Sequence, residues 1–414
     1  MSQRKRALFV SYGGGHIAMV QPVIAALERD CPEIECLQIA LTTAYLKANA
    51  VRPAFGYQDF LDLVDAPAAL AWGERLLPGN TSPDVPLAET RAYLGINYLD
   101  LMAQHGAAGA AEYYRQHGRF GFMPRHFMRR VLDKLAPDVV VATNSPRSER
   151  AALEAAIERG IASVGMVDLF GQEGDNYIHR SLRPDWTCVI AAPVRERLVS
   201  LGFPPERVRV TGSPAFDGLF APSARQAARD YLDRLGWGGL TPILWAGHRE
   251  PLGPGQTHAH GDFGFALDTE AQLRAYVRQR ADCALIVRYH PGQWNEFPRL
   301  PAQERVHFSV PSAEPIHPVI LAARAVVVQN STVGLEAAVA GRAVVSLEYA
   351  PSVRASFSLA KLGVSTPCSA ADALGGVLSE VLGGASSPPD QYRSDGGAAG
   401  RVAALIAHAL ARAA

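Results

Sequence analysis

Four short stretches of this 414-residue chain place reactive side chains directly after apolar, strand-like runs. The first, "VSYGGGHIAMVQPVIAALE", sets Gly13, Gly14 and Gly15 before His16. Three glycines let a backbone approach a ligand closely, and they open a helix whose first amides point outward. A neutral imidazole there suits proton transfer near pH 7, so His16 is a candidate general base. The second, "ILWAGHREPLGPGQTHAHGDFGF", ends a strand at Gly247 and follows it with His248 and Arg249. Arginine's planar, always charged fork can hold a diphosphate. In the third, "LIVRYHPGQWNEF", His290 emerges from a buried run and Pro291 stops the strand. The fourth, "QNSTVGLEAAVAGRAVV", sets Asn330, Ser331 and Thr332 at the start of a helix that carries one acid, Glu336, and ends at Gly341.

Hydroxyls at a helix N-terminus either cap it or bind phosphate, with the same atoms. Glu336 lies past the position that a capping box needs; a carboxylate there can grip a ribose diol with two hydrogen bonds. The bland readings stay open: His16 can pack a tight turn, the GHRE loop can be solvated, and His290 can be structural. His258, His260 and Asp262 form an HxHxD pattern without a further clustered ligand, so neither a metal nor a cofactor is expected.

The elements that must position these loops follow from hydrophobic periodicity. The runs "ALFVSY", "IECLQIAL", "DVVVAT", "ASVGMVDLF", "CVIAA" and "VRVTG" alternate with helical stretches, which predicts a doubly wound parallel sheet. A helical insert over residues 55–132 interrupts it and can wall a cleft. The alternation restarts with "TPILWAG", "CALIVRYH", "VHFSV", "AVVVQN" and "AVVSLE". The expected organisation is a Rossmann-like domain over 1–217, a second over 218–385, and a loop with a last helix over 386–414. Ligands of such sheets bind beyond the carboxyl ends of the strands, so two facing domains predict an interdomain cleft lined by the four loops.

Bulk properties agree. The chain exceeds the roughly 250 to 300 residues at which single cores stop growing. It is 48% hydrophobic and 19% charged, a globular composition. Basic and acidic residues number 40 each, so no global field favours nucleic acid. No apolar run approaches a membrane span and no cleavable leader is evident, which leads to an expected cytoplasmic location, with peripheral association at the inner membrane face still compatible. The five cysteines form no CxxC pair and are expected to be reduced.

Taken together, the loops resemble the two-domain GT-B architecture of nucleotide-sugar enzymes across nearly the whole chain. "GGGHIAMVQPVIAALE" resembles the first loop of MurG-type glycosyltransferases, which implies that His16 activates an acceptor. "STVGLEAAVAG" resembles their donor-binding helix, implying Glu336 at the ribose and residues 330–332 at the phosphates. "AGHREP", "VRYHPGQ" and "VRVTGSPAFDGL" are similar to segments of the non-hydrolysing UDP-N-acetylglucosamine 2-epimerases. In the first domain that similarity lapses: the epimerase GTRPE loop is "SYGGGH", the HGDT loop is "ATNSPRS" with Asn144 and Ser145, and the HVEAG glutamate finds only Asp168. The HP and S/T pair also resembles transferases that use CMP-linked sugars or CDP-glycerol.

The expectation is therefore a metal-independent, inverting glycosyltransferase. It would move a sugar, UDP-linked first of all, to a hydroxyl on a glycan, lipid-linked or small-molecule acceptor, in cell-surface polysaccharide biosynthesis, with His16 and Asp168 catalytic. The alternative is an isomerase or hydrolysing epimerase using Asp168, Glu173 and Asp175. A non-catalytic nucleotide-sugar sensor is a third reading.

Overall fold

The structure, a computed structural model, describes residues 4–82, 85–168, 182–251, 261–355, 358–384, 392 and 394–412. The chain divides into two units, residues 1–215 with 397–414, and residues 216–396.

The first unit begins with β1 (Arg6–Tyr12), α1 (Gly14–Asp30), β2 (Glu35–Leu41) and α2 (Thr43–Asn49). The insert then forms α3 (Ala66–Leu76), α4 (Leu87–His117) and α5 (Arg125–Leu135), with short 3-10 turns between them. Next come β3 (Val139–Thr143), α6 (Ser148–Glu158), β4 (Ala162–Met166), β5 (Trp186–Val189), α7 (Ala192–Ser200) and β6 (Val208–Val210). All six strands pair in parallel in the order β2-β1-β3-β4-β5-β6.

Both faces of this sheet are covered, which explains why its strands are continuously apolar. Alternate residues of β1 and β3 feed two separate cores. Ala7, Phe9, Val139 and Val141 pack with Val20, Val23 and Leu27 of α1. Leu8, Val10, Val140 and Ala142 pack with Tyr57, Phe60, Tyr93 and Phe127 of the insert and Leu153 of α6. The insert's aromatics thus supply one half of the core. They form a connected set, with Tyr57 stacked on Phe127 at 5.2 Å and edge-on to Tyr93 at 5.2 Å.

The second unit runs α8 (Pro222–Arg234), β7 (Thr241–Gly247), α9 (Gly264–Gln279), β8 (Cys283–Tyr289), β9 (Val306–Phe308), α10 (Ile316–Ala322), β10 (Ala325–Val328), α11 (Thr332–Val339), β11 (Ala343–Leu347), α12 (Pro351–Ala355), β12 (Thr366–Cys368) and α13 (Leu374–Gly383). Its parallel order is β12-β11-β10-β7-β8-β9. Strand β12 was not foreseen, because Pro367 stands in the middle of its three residues and argues against a strand. The core holds Ile243, Trp245, Leu285, Val287, Val327 and Val345, all fully buried.

The last helix, α14 (Ala398–Arg412), does not stand apart as expected. Val402, Ala403, Ile406 and Leu410 join the α1 side of the first unit's core. The chain therefore leaves that unit at residue 215 and returns to it at 397.

Candidate active site

In the first sheet β1 lies between β2 and β3, so the direction of winding changes between β1 and β3. Loops leaving neighbouring strands at such a switch point diverge to opposite faces and leave a crevice. His16 occupies the first turn of α1, after β1, and Glu149 the first turn of α6, after β3. His16 Nδ1 lies 3.1 Å from Glu149 Oε1, and His16 Nε2 lies 3.2 Å from Asp168 Oδ2, just beyond β4.

Both ring nitrogens therefore face carboxylates, and the imidazole satisfies both only by donating from both. Burial alone would lower its affinity for a proton. The hydrogen bonds and charges of Asp168 and Glu149 together outweigh that penalty and raise the His16 pKa from 6.5 to about 10. That direction favours the imidazolium, whereas the sequence predicts a neutral general base. Glu149 is wholly buried, and its Oε2 has no hydrogen-bond partner among the described residues. The side chains of His16 and Asp168 keep 22% and 25% of their surface open, so these two can meet a ligand. The Asp168 amide donates to Asn144 Oδ1 at 3.1 Å, which ties the loops after β3 and β4 together.

Gly13 takes φ of 91°, a conformation open to glycine at little cost, and the backbone turns there into α1, whose first residue is Gly14. A side chain on Gly15 would meet nothing within 4 Å, which leaves room beside His16.

In the second sheet the switch point falls between β7 and β10. Here the structure joins the GHRE loop to the start of α11. The His248 amide donates to Gln329 Oε1 at 2.9 Å, and the His248 ring faces the Arg249 carbonyl at 2.7 Å and Asn330 Oδ1 at 2.9 Å. Beneath them the buried Glu250 carboxylate accepts from Gln329 Nε2, and from the Ser352 amide and hydroxyl at 2.6 and 2.7 Å. Gly247 is needed by packing, since a Cβ there would sit 2.7 Å from the Trp245 ring.

The Arg249 guanidinium, the fork expected to hold diphosphate, pairs with the Glu296 carboxylate, which is half exposed, and lies 4.4 Å from the centre of the Phe263 ring. His290 is exposed and accepts from the Gly292 amide at 3.1 Å. Ser331 caps α11 by accepting from the Val333 amide at 3.3 Å, while Thr332 is exposed. Glu336 lies 3.5 Å from His317. His317 borders a pocket of about 370 Å³ walled also by Gly218, Ser223, Ala227, Pro315 and Ile316. Arg288 donates to Ser309 Oγ at 2.7 Å; burial lowers its pKa, and Glu314, Tyr231 and Glu336 oppose that.

Sequence reasoning missed Glu149, Glu250, Gln329, Arg288 and His317. The signal for Glu149 was its place after the third strand, next to the first at the switch point. His258, His260, Glu173 and Asp175 lie outside the described residues. Among those described, no three His, Cys, Asp or Glu side chains gather as a metal site. No described helix is long and apolar enough to cross a membrane.

No family model and no curated protein matches the chain. Solved structures do. The UDP-GlcNAc 2-epimerase of Neisseria meningitidis, bound to UDP-GlcNAc, superposes with a TM-score of 0.59 at 14% identity, over 97% of this chain and 100% of that one. The UDP-GlcNAc 2-epimerase of Methanocaldococcus jannaschii gives 0.58 at 13% identity, over 98% and 99%. The chain has the GT-B fold. A wall teichoic acid polymerase, TagF, shares this GT-B fold with a TM-score of 0.55 at 12% identity, over 99% of this chain and 90% of that one.

Proposed function

We propose that the chain is an enzyme acting on a nucleotide sugar, UDP-linked in the first instance, and that it rearranges the sugar as an isomerase or hydrolysing epimerase. One observation carries this reading: both ring nitrogens of His16 face carboxylates, Glu149 at 3.1 Å and Asp168 at 3.2 Å, an arrangement that favours the imidazolium, which has no lone pair to receive a proton from an acceptor hydroxyl. A transferase of the expected kind needs that lone pair. Removing the proton at C2 while its electron pair expels the nucleoside diphosphate from C1, then returning a proton to the other face of C2 as the diphosphate or water adds at C1, needs instead a carboxylate able to reach the sugar and a cation beside it. Asp168 and His16 offer that pair. The fold neighbours named as UDP-GlcNAc 2-epimerases support the same choice. In the second unit the roles proposed are Glu336 at the ribose, and the start of α11 with Asn330, Ser331 and Thr332, together with His248 and His290, at the phosphates.

Transfer to an acceptor, the first expectation from sequence, becomes the second reading. It is favoured by the glycine-rich loop before His16 and by TagF among the fold neighbours.

The test is incubation with UDP-GlcNAc alone in D2O, followed by NMR. The expected result is a C2-epimeric sugar, nucleotide-bound or released, carrying deuterium at C2. An untouched donor that releases UDP only when an acceptor is added would overturn the reading in favour of transfer. Asp168→Asn should slow the reaction by roughly 10²- to 10⁴-fold, the usual worth of a positioned acid or base.

A further inference from the structure

Arg147 lies two residues before Glu149, in the loop after β3, and the mechanism above leaves it unused. Its guanidinium hydrogen-bonds the Tyr12 hydroxyl, sits 4.6 Å from the Tyr12 ring, and lies 5.0 Å from the Phe120 ring. The Tyr12 hydroxyl also meets that of Tyr93, from α4, at 3.1 Å. Two contacts thus join the loops after β1 and β3, Tyr12 with Arg147 and His16 with Glu149, and the Arg147 cluster shares both loops with the His16 triad.

Three features of the cluster ask for an explanation. Arg125, Arg150, Arg249 and Arg274 each pair with a glutamate, whereas no carboxylate among the described residues comes within ion-pair distance of Arg147. Its Nε is shielded from water and faces no acceptor among the described residues. Phe120 keeps 68% of its surface exposed, an aromatic ring held in solvent against the cation. A partly dehydrated guanidinium with an unanswered N–H costs free energy. The guanidinium already donates one N–H to the Tyr12 hydroxyl and lies near two aromatic rings, and what it still offers is the fork of a guanidinium edge, which matches two oxygens of one carboxylate or phosphate group.

We propose that Arg147, with Tyr12, Tyr93 and Phe120, forms an anion subsite in the first unit that receives a carboxylate or phosphate group of the molecule handled at His16. The subsite itself does not depend on the nucleotide-sugar reading, which bears only on which anion arrives. Two sources share the chemistry, the diphosphate of a sugar nucleotide and the carboxylate of an acidic sugar.

Calorimetric titration of the full chain with UDP, UDP-GlcNAc, UDP-glucuronate and free glucuronate separates them. The variants are Arg147→Ala, Arg147→Lys and Phe120→Ala, each checked for an unchanged circular dichroism spectrum. Arg147→Ala should weaken binding of its anion about tenfold or more, with Arg147→Lys intermediate because it keeps charge without the fork. Weakening shared by UDP and UDP-GlcNAc assigns the diphosphate. Weakening confined to UDP-glucuronate or glucuronate assigns the carboxylate. If the wild type binds glucuronate through Arg147 but no nucleotide, the subsite stands and the nucleotide-sugar reading fails. Unchanged affinity for every ligand in folded Arg147→Ala and Arg147→Lys, or no binding of any of the four by the wild type, overturns the subsite.

Discussion

At the scale of single residues, His16 is defined by its partners. The raised pKa means that the folded chain holds the proton more tightly than the unfolded chain does. The stability so contributed is complete below about pH 6.5 and is lost as pH rises through about 10. The melting temperature of the wild type should therefore fall between pH 7 and 10, and fall less in His16→Gln. Glu149→Gln removes one of the two carboxylates and should lower the His16 pKa, read from the imidazole carbon-bound protons by NMR. An unchanged titration would show that Asp168 alone sustains the charge. His16 and Asp168 were legible because glycines, an imidazole and an acid stand where strands end. Glu149 was not, because 133 residues separate it from His16 and only the pairing of β1 with β3 brings their loops together.

Among the elements, α3 and α4 show how closely backbones can pack when glycine faces a neighbour. A Cβ on Gly95 would fall 1.7 Å from the Ala69 carbonyl oxygen, and one on Gly73 would fall 2.1 Å from that of Arg91. Gly95→Ala must push the two helices apart and should cost about 1 to 3 kcal/mol or more, read from the urea midpoint. Nothing in a sequence distinguishes such a glycine from an idle one. A titratable brace joins α4 to the 3-10 turn that precedes α3. Glu89 of α4 is buried and accepts from the amides of Tyr57 and Gln58 at 2.7 and 3.0 Å. Burial raises its pKa from 4.5 to about 7, against the two amides that lower it. The folded state then binds this proton more tightly, so stability falls as pH rises from about 4.5 to 7, by at most about 1.4 kcal/mol per unit for this group. Glu89→Gln should flatten the slope of denaturation midpoint against pH in that window; an identical slope would exclude Glu89 as its source.

At the scale of the whole molecule, the strand alternation was legible because strands buried on both faces are continuously apolar. The position of α14 was not, because an alanine-rich helix at the end of a chain says nothing about which sheet it covers. Its contacts make it part of the first unit: Val402 and Ile406 are fully buried against the α1 side of the core. Ile406→Ala should cost about 2 to 5 kcal/mol, as buried aliphatic truncations do. The loss should appear in hydrogen exchange of β1 and β3 amides and leave those of β7 and β10 unchanged. Uniform loss across both sheets would show that the units unfold together.

The return of the chain at residue 397 also orders events during synthesis. The first unit has its sheet when residue 215 emerges, but the helix that seals one face follows about 180 residues later. At roughly 5 to 20 residues per second that face waits about 10 to 40 seconds on the ribosome, with Phe9, Val139 and Val141 covered by α1 alone. The second unit is one uninterrupted segment and can close first. Of the two units, the one begun first is thus completed second, and one face of its sheet stays half covered in the interval.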